Sequence, residues 1–96
     1  MAKAYWINVF HEIKDEKKMA AYRELAAPAM QAAGAKFLVR GMPAKIYEHG
    51  LMQRVVVIEF ESVEKAIAAH DSPGYQAALK ALGDGAVRDL RIVEGI

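Results

Sequence analysis

Arg54-Val55-Val56-Val57-Ile58-Glu59-Phe60 is the stretch whose reading decides the fold. A half-exposed strand alternates polar and apolar side chains. Here Val56, Ile58 and Phe60 point one way, and Val55, Val57 and Glu59 point the other. Both faces therefore require cover, as in a central strand packed on two sides. The rest of the chain supplies helices for one side, which leaves a second copy to cover the other. The run predicts a homodimer whose interior has room for a ligand.

Working outward, residues 4–11 (Ala-Tyr-Trp-Ile-Asn-Val-Phe-His) read as a first strand, rich in aromatic and β-branched residues. Asp15 is placed to cap a helix that runs to about Ala33, with Met19, Tyr22, Ala26, Ala29, Met30 and Ala33 as its buried stripe. Pro28 predicts a kink and Gly34 a stop. Lys36–Arg40 is a second strand, and a short extra strand is expected near Ala44–Glu48. Ser62 caps a helix with the stripe Val63, Ala66, Ile67 and His70. Ser72-Pro73 starts a further short helix with Tyr75, Ala78, Leu79 and Leu82 on its inner face. Gly83-Asp84-Gly85 ends it, and Arg88–Glu94 is the last strand. The order β-α-β-β-α-β is that of an α+β, ferredoxin-like domain with a four-stranded antiparallel sheet, and residues 1–96 form one domain.

If the helices cover the more apolar side of each strand, Ile7, Val9, Phe37, Val39, Val56, Ile58, Phe60, Leu90 and Ile92 face them. The opposite face then carries Trp6, Asn8, Leu38, Arg40, Val55, Val57, Glu59, Arg91 and Val93. Leaving Trp6, Leu38 and the three valines in water forfeits about 1.5–3 kcal/mol for each side chain. That is a substantial offset against an association cost of about 4–15 kcal/mol.

Composition excludes several classes. The 96 residues hold 13 basic and 12 acidic side chains for a net charge of +1, without the basic stripe of a nucleic-acid binder. Lys14, Lys17 and Lys18 are diluted by Asp15 and Glu16, and the same evidence argues against membrane-surface binding. Absence of cysteine rules out disulfides, thiolate catalysis and cysteine-ligated metals. The Met1–Trp6 segment leads into a strand rather than a signal peptide, and a cytoplasmic protein is expected. The histidines His11, His49 and His70 have no ligand spacing, and no phosphate loop or dinucleotide fingerprint occurs, so neither metal nor cofactor is expected.

Lys36-Phe37-Leu38-Val39-Arg40-Gly41, Arg54–Phe60, Ser72-Pro73-Gly74-Tyr75-Gln76 and the closing Ile92-Val93-Glu94-Gly95 occur in an order that closely resembles the domain-of-unknown-function 1330 family, over essentially the whole chain. Gly74 stands where that family usually has Glu, and Ala69-His70 where large aromatics are frequent. The resemblance implies a dimeric α/β barrel built from two ferredoxin-like sheets. It implies no established reaction.

Two residues are candidates for proton chemistry. Glu59, a carboxylate among valines, is expected to pair with Arg40 or Arg91 or else to have a raised pKa suited to a general base. His70 is expected at the end of the barrel, where it packs and caps its helix or moves a proton. Asp71 follows directly, and adjacent helical residues do not face each other, so a His–Asp dyad is not expected. Trp6, Asn8, Arg40, Tyr75 and Arg91 are the expected ligand contacts. The functional expectation is a homodimer binding a small, flat, weakly acidic organic molecule in the barrel interior. The alternative is a cofactor-free enzyme, monooxygenase-, isomerase- or dehalogenase-like, acting on such a molecule.

Overall fold

The computed structural model describes residues 2–96. Strand β1 (Ala4–Ile13) is followed by helix α1 (Glu16–Ala32), strands β2 (Lys36–Gly41) and β3 (Val55–Phe60), helices α2 (Val63–Asp71) and α3 (Pro73–Leu82), and strand β4 (Ala86–Glu94). The strands form one antiparallel sheet in the order β2-β3-β1-β4. This is the α+β ferredoxin-like arrangement that the sequence predicts, its second helix split at Ser72-Pro73. Local chemistry sets the boundaries. The Asp15 carboxylate accepts from the backbone N–H groups of Lys17 and Lys18 at 2.9 and 3.1 Å, and Ser62 and Ser72 cap α2 and α3 in the same way. Gly34 takes φ +78° just past α1, a conformation that L side chains rarely adopt. At Gly74 a Cβ would lie 3.2 Å from that of Ala29, so the missing side chain lets α3 close on α1. The helix α1 runs through Pro28 to Ala32. The expected strand over 44–48 does not form: that segment is bend, coil and turn.

The register of β1 corrects the sequence reading. Trp6, Asn8 and Phe10 are buried beneath the helices, and Ile7 and Val9 lie on the open face opposite Val57 and Val55. The two triplets are nearly equal in apolarity. Full burial of two aromatic rings, each burying about 150–250 Å², outweighs that of Ile and Val, and Asn8 goes inward with them because side chains alternate. Strand β2 also departs from the prediction. An irregularity between Phe37 and Val39 puts Phe37 opposite Ile58, Val39 opposite Val57 and Arg40 opposite Val56. Arg40 therefore lies on the helix side and Val39 on the open side, the reverse of their expected faces.

The core consists of Trp6, Phe10, Met19, Met30, Ile58, Phe60, Tyr75 and Leu82 with the alanines of the helices. Ala66 and Ala69 bring α2 close to the sheet, whereas α1 presents the long side chains Met19, Tyr22 and Met30. The other sheet face has no cover, and the backbone measures only 34 × 31 × 15 Å.

Candidate functional site

The alternation of β1 sends Asn8 into the core, where it is 3% exposed and the one polar residue buried among the described residues. Its Oδ1 has no hydrogen-bond partner there. Such an acceptor costs about 1–3 kcal/mol when nothing donates to it. Asn8 lines a cavity of about 100 Å³ between α1 and the sheet. Buried Trp6, Phe10, Met19, Tyr22, Met30 and Tyr75 are among its walls, and exposed Arg23, Phe37 and Arg40 stand at its margin.

The sequence reading missed a cluster beside this cavity. The Tyr22 and Tyr75 hydroxyls are 2.7 Å apart, and Arg88 donates Nη1 to the first and Nη2 to the second, each at 3.0 Å. The guanidinium also lies 4.7 Å from the centre of the Tyr22 ring. Burial pushes the Tyr75 hydroxyl well above its ordinary range, so it stays protonated at neutral pH. Burial alone would disfavour charge on Arg88, but the two tyrosine oxygens outweigh it and raise its pKa. No carboxylate pairs with Arg88 among the described residues. The signal was legible: Arg88 is in phase with Leu90 and Ile92, so period two places an arginine on the core face.

The expected site residues separate into three places. Trp6, Asn8, Arg40 and Tyr75 share the cavity wall. The cavity thus lies on the helix side of the sheet, not on the face expected to line a barrel. Its size is below the ~300 Å³ at which drug-sized ligand pockets begin.

Glu59 is on the open face opposite Tyr5. Contrary to expectation it pairs with neither Arg40 nor Arg91: Lys3 Nζ donates to it at 3.2 Å and the Tyr5 hydroxyl at 3.2 Å. The Lys3 hydrogen bond leads in holding its carboxyl below the usual 4.5, against a smaller opposing effect of burial. In the protomer the carboxyl is thus held towards its charged form. Arg40 instead lies 5.3 Å from the centre of the Phe37 ring, and Arg91 forms a two-pronged contact with Asp89 at 3.0 Å. A depressed carboxylate stabilises the fold above its unfolded pKa, and that contribution is lost as pH falls through the folded value. Thermal melts of the parent and Glu59→Gln are expected to differ at neutral pH and to converge as pH falls through the folded value; a gap that widens on acidification contradicts the pairing.

His70 packs on Trp6 and Tyr75, with ring centres 5.7 and 5.3 Å away. Its Nδ1 lies 3.0 Å from Asp71 Oδ1, so the adjacent pair does meet. Asp71 is the last residue of α2, and no following turn of that helix holds its side chain away. His70, Asp71, Ile67, Leu90 and Ile92 line a separate shallow depression of about 240 Å³. The described residues contain no group of three metal-ligating side chains, and no helix among them is long and apolar enough to cross a membrane.

Comparison with solved structures shows the same fold. The RPA0582 protein of unknown function from Rhodopseudomonas palustris is 17% identical, with a TM-score of 0.77 over 99% of this chain and 83% of that one. A dimeric ferredoxin-like protein of unknown function from Thermobifida fusca is 15% identical, with a TM-score of 0.57 over 98% and 92% of the two chains. SnoaB from Streptomyces nogalater, a cofactor-independent oxygenase, is 14% identical, with a TM-score of 0.59 over 97% and 92%. No curated protein matches. The family model described as "Domain of unknown function (DUF1330)" matches residues 3–96, nearly the whole chain, and the chain belongs to that family.

Proposed function

We propose that the protein is a cytoplasmic homodimer that binds a small, flat organic molecule in the cavity beneath α1, with Trp6 and Tyr75 as walls, Asn8 as the polar anchor and Arg40 at the mouth. The burial of the Asn8 side chain in the wall of this cavity, its Oδ1 without a partner, carries this reading. A buried acceptor is retained at a cost only where something else repays it. An apolar cavity of ~150 Å³ takes benzene, so one of about 100 Å³ suits at most a single small ring that reaches out to the open mouth beside Arg40. His70 supports the Trp6 and Tyr75 rings from outside the cavity, and Glu59 and Arg91 belong to the association face.

Dimerisation is supported by the uncovered sheet face. The chain exposes 6349 Å², whereas a compact monomer of its mass exposes about 5,500 Å². The surplus is close to the ~800 Å² that each partner buries in a standard interface. Ile7, Val9, Val55 and Val57 form the apolar centre of that face, with Val39 and Val93 at its flanks. Dimeric proteins among the structural neighbours support the same reading.

Asn8→Leu tests the anchor. Leucine has the same branching at Cγ, its extra volume can extend into the adjoining cavity, and it breaks no hydrogen bond of Oδ1, so thermal stability is expected to hold or to rise by about 1 kcal/mol. Fluorinated fragments of this size, screened by ¹⁹F line broadening, are expected to give hits on the parent protein. A destabilisation of several kcal/mol would mean that Asn8 is bonded structurally, and a screen without hits would remove the binding reading.

A cofactor-free enzyme working in the same cavity is the second reading. The Tyr22–Tyr75–Arg88 cluster favours it, since hydroxyls held by an unneutralised guanidinium stabilise developing negative charge on oxygen.

A further inference from the structure

We propose that the ligand of this cavity is a small carboxylate, its apolar ring inside and its charged group held at the mouth by Arg23, Arg40 and Arg54. The proposal rests on the cavity being a ligand site and names the charge that the ligand carries. Every charged residue in the cavity lining is an arginine: Arg23 comes from α1, Arg40 from β2 and Arg54 from the position before β3. The chain as a whole is nearly balanced, with 13 basic and 12 acidic side chains, so cations without an anion at one opening are a local excess. Elsewhere Lys3, Lys18 and Arg91 each meet a carboxylate. Among the described residues Arg23, Arg40 and Arg54 meet none.

Local structure brings each arginine to this opening. Regular alternation from Phe37 would send Arg40 to the open sheet face, and the irregularity between Phe37 and Val39 sets it beside Val56 on the cavity side instead. Its guanidinium lies 5.3 Å from the centre of the Phe37 ring, which lines the same cavity, and this contact keeps the charge there. On α1, Arg23 shares a face with Ala26 and Ala27, and all of them line the cavity. Their small side chains leave the arginine stem room along the wall, with its head towards water. Arg54 is half-buried, and its backbone carbonyl accepts from the Phe10 N–H at 3.0 Å, which ties it to β1.

A guanidinium matches a carboxylate because its planar fork donates two parallel hydrogen bonds to the two oxygens. The cavity holds about 100 Å³ between apolar walls that include Trp6, Phe10, Met19 and Met30. One small ring uses that space, so a charged substituent has only the mouth to occupy. A cationic ligand is repelled there, and a neutral one gains little from the arginines.

The test titrates the full chain with 4-fluorobenzoate, 4-fluorobenzamide and fluorobenzene by ¹⁹F NMR at neutral pH and low ionic strength. The benzoate and the benzamide are nearly alike in shape and differ in charge. The benzoate is expected to bind at least about fivefold more tightly than the benzamide. In the variant Arg23→Gln/Arg40→Gln/Arg54→Gln that margin should fall to about unity while fluorobenzene affinity is unchanged. Lys80→Gln removes a charge of the same sign at an exposed position outside the cavity and should leave the margin intact. Arg23 and Arg40 are exposed, so Arg23→Gln/Arg40→Gln decides if the triple variant does not fold, with a fall of at least about twofold expected. Equal affinity of benzoate and benzamide for the parent overturns the proposal and leaves the cavity a ligand site. A margin that survives in the arginine variants overturns it too, as does one that Lys80→Gln removes equally. Failure of all three probes to bind removes the cavity reading and this inference together.

Discussion

Trp6→Ala is expected to lower the unfolding free energy by about 3–5 kcal/mol, a large share of the ~5–15 kcal/mol available to a domain. Trp6 is 1% exposed and sits at the centre of the core, its ring 6.0 Å from Phe60, 5.1 Å from Tyr75 and 5.7 Å from His70. Truncation leaves a hole that these rings cannot all close on, so the transfer loss and the cavity cost add. The experiment also tests the register of β1. If Trp6 faced a partner subunit, its loss would dissociate the protein first. With Trp6 under the helices, denaturant midpoints measured at one protein concentration should fall while the association state at neutral pH is unchanged. Dissociation without loss of protomer stability would place Trp6 on the other face.

Val57→Asp should have the opposite signature. Val57 is flanked by Ile7 on β1 and Val39 on β2, in the middle of the uncovered face. Glu59 on the same strand already uses Lys3 and Tyr5, and Arg91 uses Asp89. Lys36 on this face stands opposite Glu59, so a new carboxylate at 57 has no basic residue across from it on either neighbouring strand. Burying it unpaired in an interface costs about 3–5 kcal/mol, which raises the dimer Kd by about two to three and a half powers of ten at about 1.4 kcal/mol for each tenfold step. Sedimentation velocity at micromolar concentration is expected to show a dimer for the parent and a folded 10.6 kDa monomer for the variant. A parent that is monomeric contradicts the dimer directly.

The contrast between these two residues marks what could be read from the chain. Strand β3 was legible because both of its faces are apolar, so its central position does not depend on which face is inward. The caps Asp15, Ser62 and Ser72 were legible because each acts on neighbours two or three residues away. The faces of β1 were not, since Tyr5/Ile7/Val9 and Trp6/Asn8/Phe10 differ little in apolarity and the choice is made by packing against helices distant in sequence. The irregularity between Phe37 and Val39 is equally invisible in composition, yet it carries Arg40 from the face of Glu59 to the cavity. Of the candidate site, Trp6 and Asn8 were named for their chemistry and placed on the wrong side of the sheet, whereas Tyr75 was placed correctly on the inner face of α3. Tyr22 was read as core, and Arg88 only as the start of a strand. Their meeting joins α1, α3 and β4, three elements that no local pattern connects.

The proposed ligand site lies beneath α1 rather than on the sheet face proposed to join two subunits. Residue-resolved NMR shift mapping during titration with 4-fluorophenol and fluorobenzene tests it most directly. The expected result is perturbation of the Trp6 indole N–H, the Asn8 side-chain amide and the methyl groups of Met19 and Met30, with Ile7, Val55 and Val57 unmoved. Shifts confined to Ile7, Val55 and Val57, with Trp6 and Asn8 silent at saturation, would contradict it.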